Sequence, residues 1–314
     1  MEGFKSGQVK ALPPEVFEAM RPDQFEKLAP KAMKGFKSAQ VKVLPPEVFE
    51  AMRPDQFEKL APKVMRGISA NQLAEFDPAL MKQFEPDQFQ ALPKNAFAGL
   101  QSNQIKKLPL DLMDHFSAEM VEELADSAMS GFKPKTFLSL SEEALGALTG
   151  SQFAELSAKV VKNMKPDQFK DLSKDALTGF QPDHLKNLSS DVLESMDSSD
   201  FPEINADSFS GLKPSKLNDL PRELMSELTS DQLNSIKANV LRRMDESLLE
   251  RLNPEAMGGM SEEQAKKIRV KFIQNLSPDQ IRSVSPEVIS KMPEKVIDVI
   301  GEMMPGFSDF LASA

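Results

Sequence analysis

The sequence predicts an all-α solenoid, a superhelix of very short helices with one helix per eight residues, paired into 16-residue units. Three observations carry this. Apolar residues recur with a period of eight from Phe4 onward, proline keeps to two places in that period, and residues 4–35 return almost unchanged as 36–67. The two copies differ only at Gly7/Ala39, Ala11/Val43, Ala32/Val64 and Lys34/Arg66. Stepping by eight from Phe4 to Met292 gives 37 octads with no insertion or deletion, ending at Val299. The first and sixth positions are apolar in all 37, with Ala265 the smallest at the sixth.

Proline sets the helix start. It falls at the third octad position 15 times (Pro14, Pro22 and Pro166 among them) and at the second six times, as at Pro13 and Pro293. Its fixed φ suits the first helical residue, and it pushes the preceding residue out of the α region, so each octad restarts its own helix. The fourth position is Asp or Glu in 19 octads, where a carboxylate meets the free N–H groups of a first turn. In later octads such as LSPDQIRS and LTSDQLNS the residue before the start reads as a Ser or Thr N-cap. A strand reading fails because apolar residues do not alternate. One long helix fails on proline content.

Alternate octads differ at the fifth position. In the set beginning at Phe4 and every sixteenth residue after it, this position is Gln in 12 of 19, from Gln8 to Gln280; in the intervening set it is apolar in 17 of 18, with Ser208 the exception. We call these A and B octads. The B helix has the wider apolar face and belongs to a more enclosed row. Gly35, Gly67, Gly99, Gly131, Gly179, Gly211 and Gly259 end B octads, and their first spacings of 32 predict left-handed caps that turn the chain at every fourth helix.

One octad cannot fold alone, since two or three buried side chains return less than ordering eight residues costs. Neighbours must therefore share their apolar rows in a quasi-one-dimensional stack. The expected organisation is one continuous repeat array over 1–299, followed by a C-terminal cap or frayed tail over 300–314, where Pro305 breaks register.

Composition narrows function. With no Cys, Trp or Tyr and two His, the chain has no cysteine nucleophile, no disulfide and little for histidine acid–base work. Net charge is −10, and residues 68–211 carry 12 basic against 23 acidic groups, which argues against a nucleic-acid groove. No signal segment or run of 18 apolar residues is present, so a soluble chain without membrane insertion is expected, its compartment open. Its start inside a repeat suggests a piece of a longer protein.

The stretch LPPEVFEAMRPDQFEKL resembles the L-S-P-E-x-Φ-x-x octad runs of the mesothelin and stereocilin-like superhelical surface proteins. That resemblance implies a helical superhelix and a role in adhesion or attachment as a module of a larger cell-surface or extracellular protein.

Candidate chemistry is sparse. His115 and His184 lie 69 residues apart and in register, and read as surface variation on a repeat. Glu122–Glu123 and Glu142–Glu143 read as solvated helix starts, with a weak cation site the lesser reading. No phosphate loop or catalytic motif occurs. Asn187 and Asn275 open glycosylation sequons formed from the repeat's own Leu-Ser junction. The most suggestive polar feature is the glutamine row, with Gln24, Gln40, Gln56, Gln72, Gln88, Gln104 and Gln168 as its candidate residues. Either these side chains hydrogen-bond the neighbouring helix backbone and tie coil to coil, or they form a repetitive ladder facing a ligand. The expectation is a non-catalytic structural or protein-interaction scaffold with no cofactor and no metal. Its partners would be protein or a second copy of itself, with no nucleic acid and no small-molecule ligand.

Overall fold

The computed structural model describes residues 3–312. All regular structure in that range is helical, in short α and 3-10 segments at octad spacing, and no strand occurs among the described residues. The fold is a helical repeat. The chain divides into two compact units, one formed by Met1–Val160 with Asp171–Ser173 and the other by Val161–Lys170 with Lys174–Ala314.

Each octad becomes one helical element for the reason its prolines give. In the octad MRPDQFEK, Arg21 is extended (φ −95°, ψ 154°), Pro22 opens the helix Pro22–Glu26, and Asp23 lies in its first turn. The N-cap reading of Ser and Thr holds at Ser69, Ser117, Ser141, Thr149, Ser189, Thr229, Ser261, Ser277 and Ser285, whose hydroxyls each accept a backbone N–H three residues on.

The two octad classes take different helix types. All 12 glutamine octads form α-helices, whereas eight of the nine 3-10 stretches are B octads; the ninth, Ser198–Glu203, is an A octad with Asp200 in place of Gln. The Val9 N–H in a glutamine octad reaches four residues back to the Lys5 carbonyl, while the Val16 N–H in the next octad reaches three back to Pro13. Proline at the second position never shares an octad with Gln at the fifth. The cause is a hydrogen bond described below, which needs the N–H that proline lacks.

Within each unit four octads make one coil, and coil lies on coil with a 32-residue offset. Residues at the first and sixth positions fill the core, joined by the fifth position of B octads, such as Val48, Val64 and Leu80. Phenylalanines carry the core from coil to coil: Phe49 stacks on Phe76 at 5.2 Å, Phe57 meets the edge of Phe84 at 4.7 Å, and Phe89 meets Phe116 at 5.0 Å.

Glycine plays a different part from the one its position predicts. Among the described residues only Gly3 and Gly306 have positive φ, so the glycines ending B octads are not left-handed caps. A Cβ at Gly35, Gly67, Gly99, Gly131, Gly211 or Gly259 would instead collide with the backbone 29 residues earlier, at Ser6, Ser38, Ala70, Ser102, Pro182 and Ser230 respectively. The spacing of 32 marks a seam where successive coils touch backbone to backbone.

The last segment leaves the octad rule. Without a proline near residue 300, the helix Glu294–Met303 runs ten residues and buries Val296 and Ile300 four apart. Met304 before Pro305 is extended, Gly306 turns with φ +81°, and the helix Phe307–Ala312 folds back with Phe307 buried.

Candidate functional site: the glutamine ladder

A helix of four to six residues is all ends. Its first N–H groups and last carbonyls have no partner within the helix, and burying them unpaired is costly. Glutamine at the fifth position is the third residue of its helix. From there one planar amide serves the start of its own helix and the finish of the helix one coil back.

At Gln40 the Oε1 accepts the Lys37 N–H at 2.9 Å, capping the helix Ser38–Lys42. The Nε2 donates to the carbonyls of Val9 at 2.8 Å and Leu12 at 2.7 Å, 31 and 28 residues earlier. Both donors and one acceptor lone pair are thus used. Gln56 repeats this on Arg53, Phe25 and Leu28, Gln72 on Ser69, Val41 and Leu44, Gln88 on Glu85, Phe57 and Leu60, and Gln104 on Gln101, Leu73 and Phe76. All five are buried. The same three bonds recur at Gln152, Gln232, Gln264 and Gln280, marked by the same octad position.

Gln24 and Gln168 are the remaining two candidates. Gln24, in the first coil, caps Arg21 at 3.0 Å, but among the described residues its Nε2 makes no hydrogen bond. Gln168 is half-buried and accepts the Lys165 N–H at 3.1 Å. Where Gln is replaced, the capping half survives at two positions: Thr136 Oγ1 accepts the Lys133 N–H at 3.0 Å, and the buried His184 takes the Gln181 N–H on Nδ1 at 3.2 Å. That bond places the imidazole proton on Nε2. Most of these polar side chains serve only helix ends of the fold, and Gln88 also borders an open surface cleft with Glu58, Glu85 and Asp87.

His115 is partly exposed, with Nδ1 2.7 Å from Gln90 Nε2 and Nε2 3.6 Å from Asp114, at the edge of an open cleft with Ser117 and Glu143. Beside it Lys94 pairs with Glu119; that pairing, with the Ser117 hydroxyl and the Glu119 backbone N–H, lowers the Glu119 pKa to about 2. A smaller cleft of about 150 Å³ is lined by Arg242, Arg269, Lys271 and Glu246, the last two ion-paired, and among the described residues the buried Nε of Arg242 has no acceptor. Glu122, Glu123, Glu142 and Glu143 are exposed. Among the described residues no three His, Asp or Glu side chains are grouped to hold a metal, and no helix is long and apolar enough to cross a membrane. The chain matches no protein-family model and no curated protein sequence.

Proposed function

We propose that the chain is a non-catalytic repeat scaffold that binds polypeptide partners along the sides of its coils. One observation supports this reading above others. The buried glutamines are engaged in joining coil to coil, while exposed positions return at the same place on successive coils. Glu26, Glu58, Gln90 and Glu122 are one such exposed series, spaced by 32 residues. A repeated surface of this kind suits a partner that contacts several coils at once, each contact weak and the sum strong.

Photo-crosslinking tests it. A photoreactive amino acid placed singly at positions 26, 58, 90 and 122 is expected to trap the same partner polypeptide from at least two successive coils. Trapping from one position alone, or a catalytic turnover that co-purifies with the chain and is abolished by one substitution, would overturn the scaffold reading.

A further inference from the structure

Among the described residues one buried side-chain nitrogen or oxygen lacks a hydrogen bond, the Nε of Arg242. An unpaired guanidinium donor out of water is costly and calls for a reason. Its octad position does not supply one. Arg242 is the seventh residue of a B octad, where Lys34, Glu50, Arg66, Lys82 and Glu194 are all exposed, yet Arg242 is partly covered. Its equivalents one coil before and after are Ser210 and Gln274, so the feature is not part of the repeat.

Three cations meet here. Arg242 closes the helix Ala238–Leu241, and Arg269 is the extended residue before the helix Val270–Ile273. That helix carries Lys271 at the octad position that is Asp or Glu in 19 octads. All three line the cleft of about 150 Å³, together with Met244, Leu249 and Phe272. Asp245 and Glu246 also line it, and Glu246 pairs with Lys271. Nearby Lys266, Lys267 and Arg282 are ion-paired as well, whereas among the described residues Arg242 and Arg269 have no ion pair. Three cations against two carboxylates leave the cleft one positive charge in surplus.

We infer that this cleft is a carboxylate-binding site, which takes an acidic side chain or the C-terminal carboxylate of a polypeptide. A surplus of one positive charge suits a monoanion, while a phosphate dianion would bring a charge the cleft does not balance. The Nε–Nη edge of a guanidinium offers two parallel N–H groups that match the two oxygens of a planar carboxylate. A side-chain rotation that turns the Arg242 Nε into the cleft would give it the acceptor it lacks, with Arg269 and Lys271 adding positive potential. Partial enclosure strengthens such a charge-assisted bond. This goes beyond the scaffold reading, which rests on a surface repeated along coils of the other unit, so the failure of either leaves the other standing.

The test is a titration of the full, isotopically labelled chain, followed at the Nε–Hε NMR signals of its nine arginines. Signals missing from Arg242→Lys and Arg269→Gln identify the two that matter. Sodium acetate is expected to shift both saturably, with a midpoint below about 20 mM, and sodium chloride at equal ionic strength is expected not to. Arg242→Lys keeps the charge but loses the planar edge, and should abolish saturation at the Arg269 signal. Arg269→Gln should weaken acetate binding at least roughly fivefold. Arg243→Gln, the same charge change at an exposed arginine outside the cleft, leaves it unchanged. Arg269 and Arg243 are both exposed, so these two variants keep the parent's melting temperature. Two N-terminally blocked tripeptides distinguish the sources, one with a central Glu and an amidated C-terminus, the other with a central Gln and a free C-terminus. The one that reproduces the acetate shifts at the lower concentration names the source. The inference is overturned if chloride reproduces the shifts, if Arg243→Gln weakens binding as much as Arg269→Gln, if the phosphate dianion binds more tightly than acetate, or if neither tripeptide reproduces the acetate shifts.

Discussion

Coils 4–35 and 36–67 are nearly one sequence in two situations. Both form the same four short helices at the same octad positions, because proline, N2 carboxylate and N3 glutamine act within a few residues of themselves. Burial does not follow. The second coil has a neighbour on each side and its Gln40 and Gln56 are closed in; the first coil's Gln8 and Gln24 are not. Local sequence therefore sets the helix rhythm, and the adjacent coil sets how much each residue contributes to stability.

Matched substitutions in the two copies separate these effects. The largest contrast is expected at the B-octad valines. Val48→Asp buries a carboxylate with no partner and is expected to cost more than about 4 kcal/mol, while Val16→Asp stays within about 0.5 kcal/mol; urea unfolding followed by circular dichroism measures both. Equal losses would break the comparison.

The glutamines come next. Gln56→Ala strands the Leu28 carbonyl and the Arg53 N–H and takes one of the Phe25 carbonyl's donors, an expected loss of about 2–4 kcal/mol, against about 0.5–1.5 kcal/mol for Gln24→Ala, which loses only its cap. Gln56→Glu keeps the capping acceptor but turns a carboxylate toward two carbonyl oxygens, so its loss should equal or exceed that of the alanine variant. A ladder that instead served a ligand would leave the Gln56→Ala unfolding midpoint unchanged.

Glycine gives opposite signs. Gly67→Ala drives a methyl into the Ser38 backbone and should destabilise by about 1–3 kcal/mol. Gly7 has open space around its Cβ position and Ala39 as its counterpart, so Gly7→Ala should stabilise by about 0.5–1 kcal/mol. Thermal melts of the two variants on either side of the parent would establish the seam.

Much of the fold was legible because its determinants are local: the octad, the helix starts, the A/B alternation and the Ser/Thr caps all lie within one helix. What the sequence withheld is non-local. The row of Gln40, Gln56, Gln72, Gln88 and Gln104 stands out by position, but nothing in the octad names carbonyls 31 and 28 residues back as acceptors. The absence of proline at position two wherever Gln stands at position five was a readable sign of the capping half of that bond. Glycine misled for a related reason: a residue at a helix end suggests a positive-φ cap, and only the coil beneath reveals a close approach at Gly35 or Gly99. The end helices departed from the octad where proline ran out.

The smallest expected effect is electrostatic. Lys94 and Glu119 sit on contacting helices of successive coils, both well exposed, so their pair adds little at neutral pH and is screened by salt. Its pH signature is still distinctive. The Glu119 pKa falls from 4.5 to about 2 on folding, chiefly through the Lys94 hydrogen bond, so the folded state favours the carboxylate. A depressed folded pKa gives stability that is present above the unfolded value of 4.5 and lost as pH drops through about 2. The melting-temperature gap between the parent and Glu119→Gln should therefore favour the parent at pH 7, narrow below pH 4.5 and close near pH 2. It should also shrink in about 1 M salt at pH 7. A gap that held constant with pH would mean that the Ser117 and backbone bonds, available to a neutral amide as well, rather than charge pairing, hold Glu119 in place.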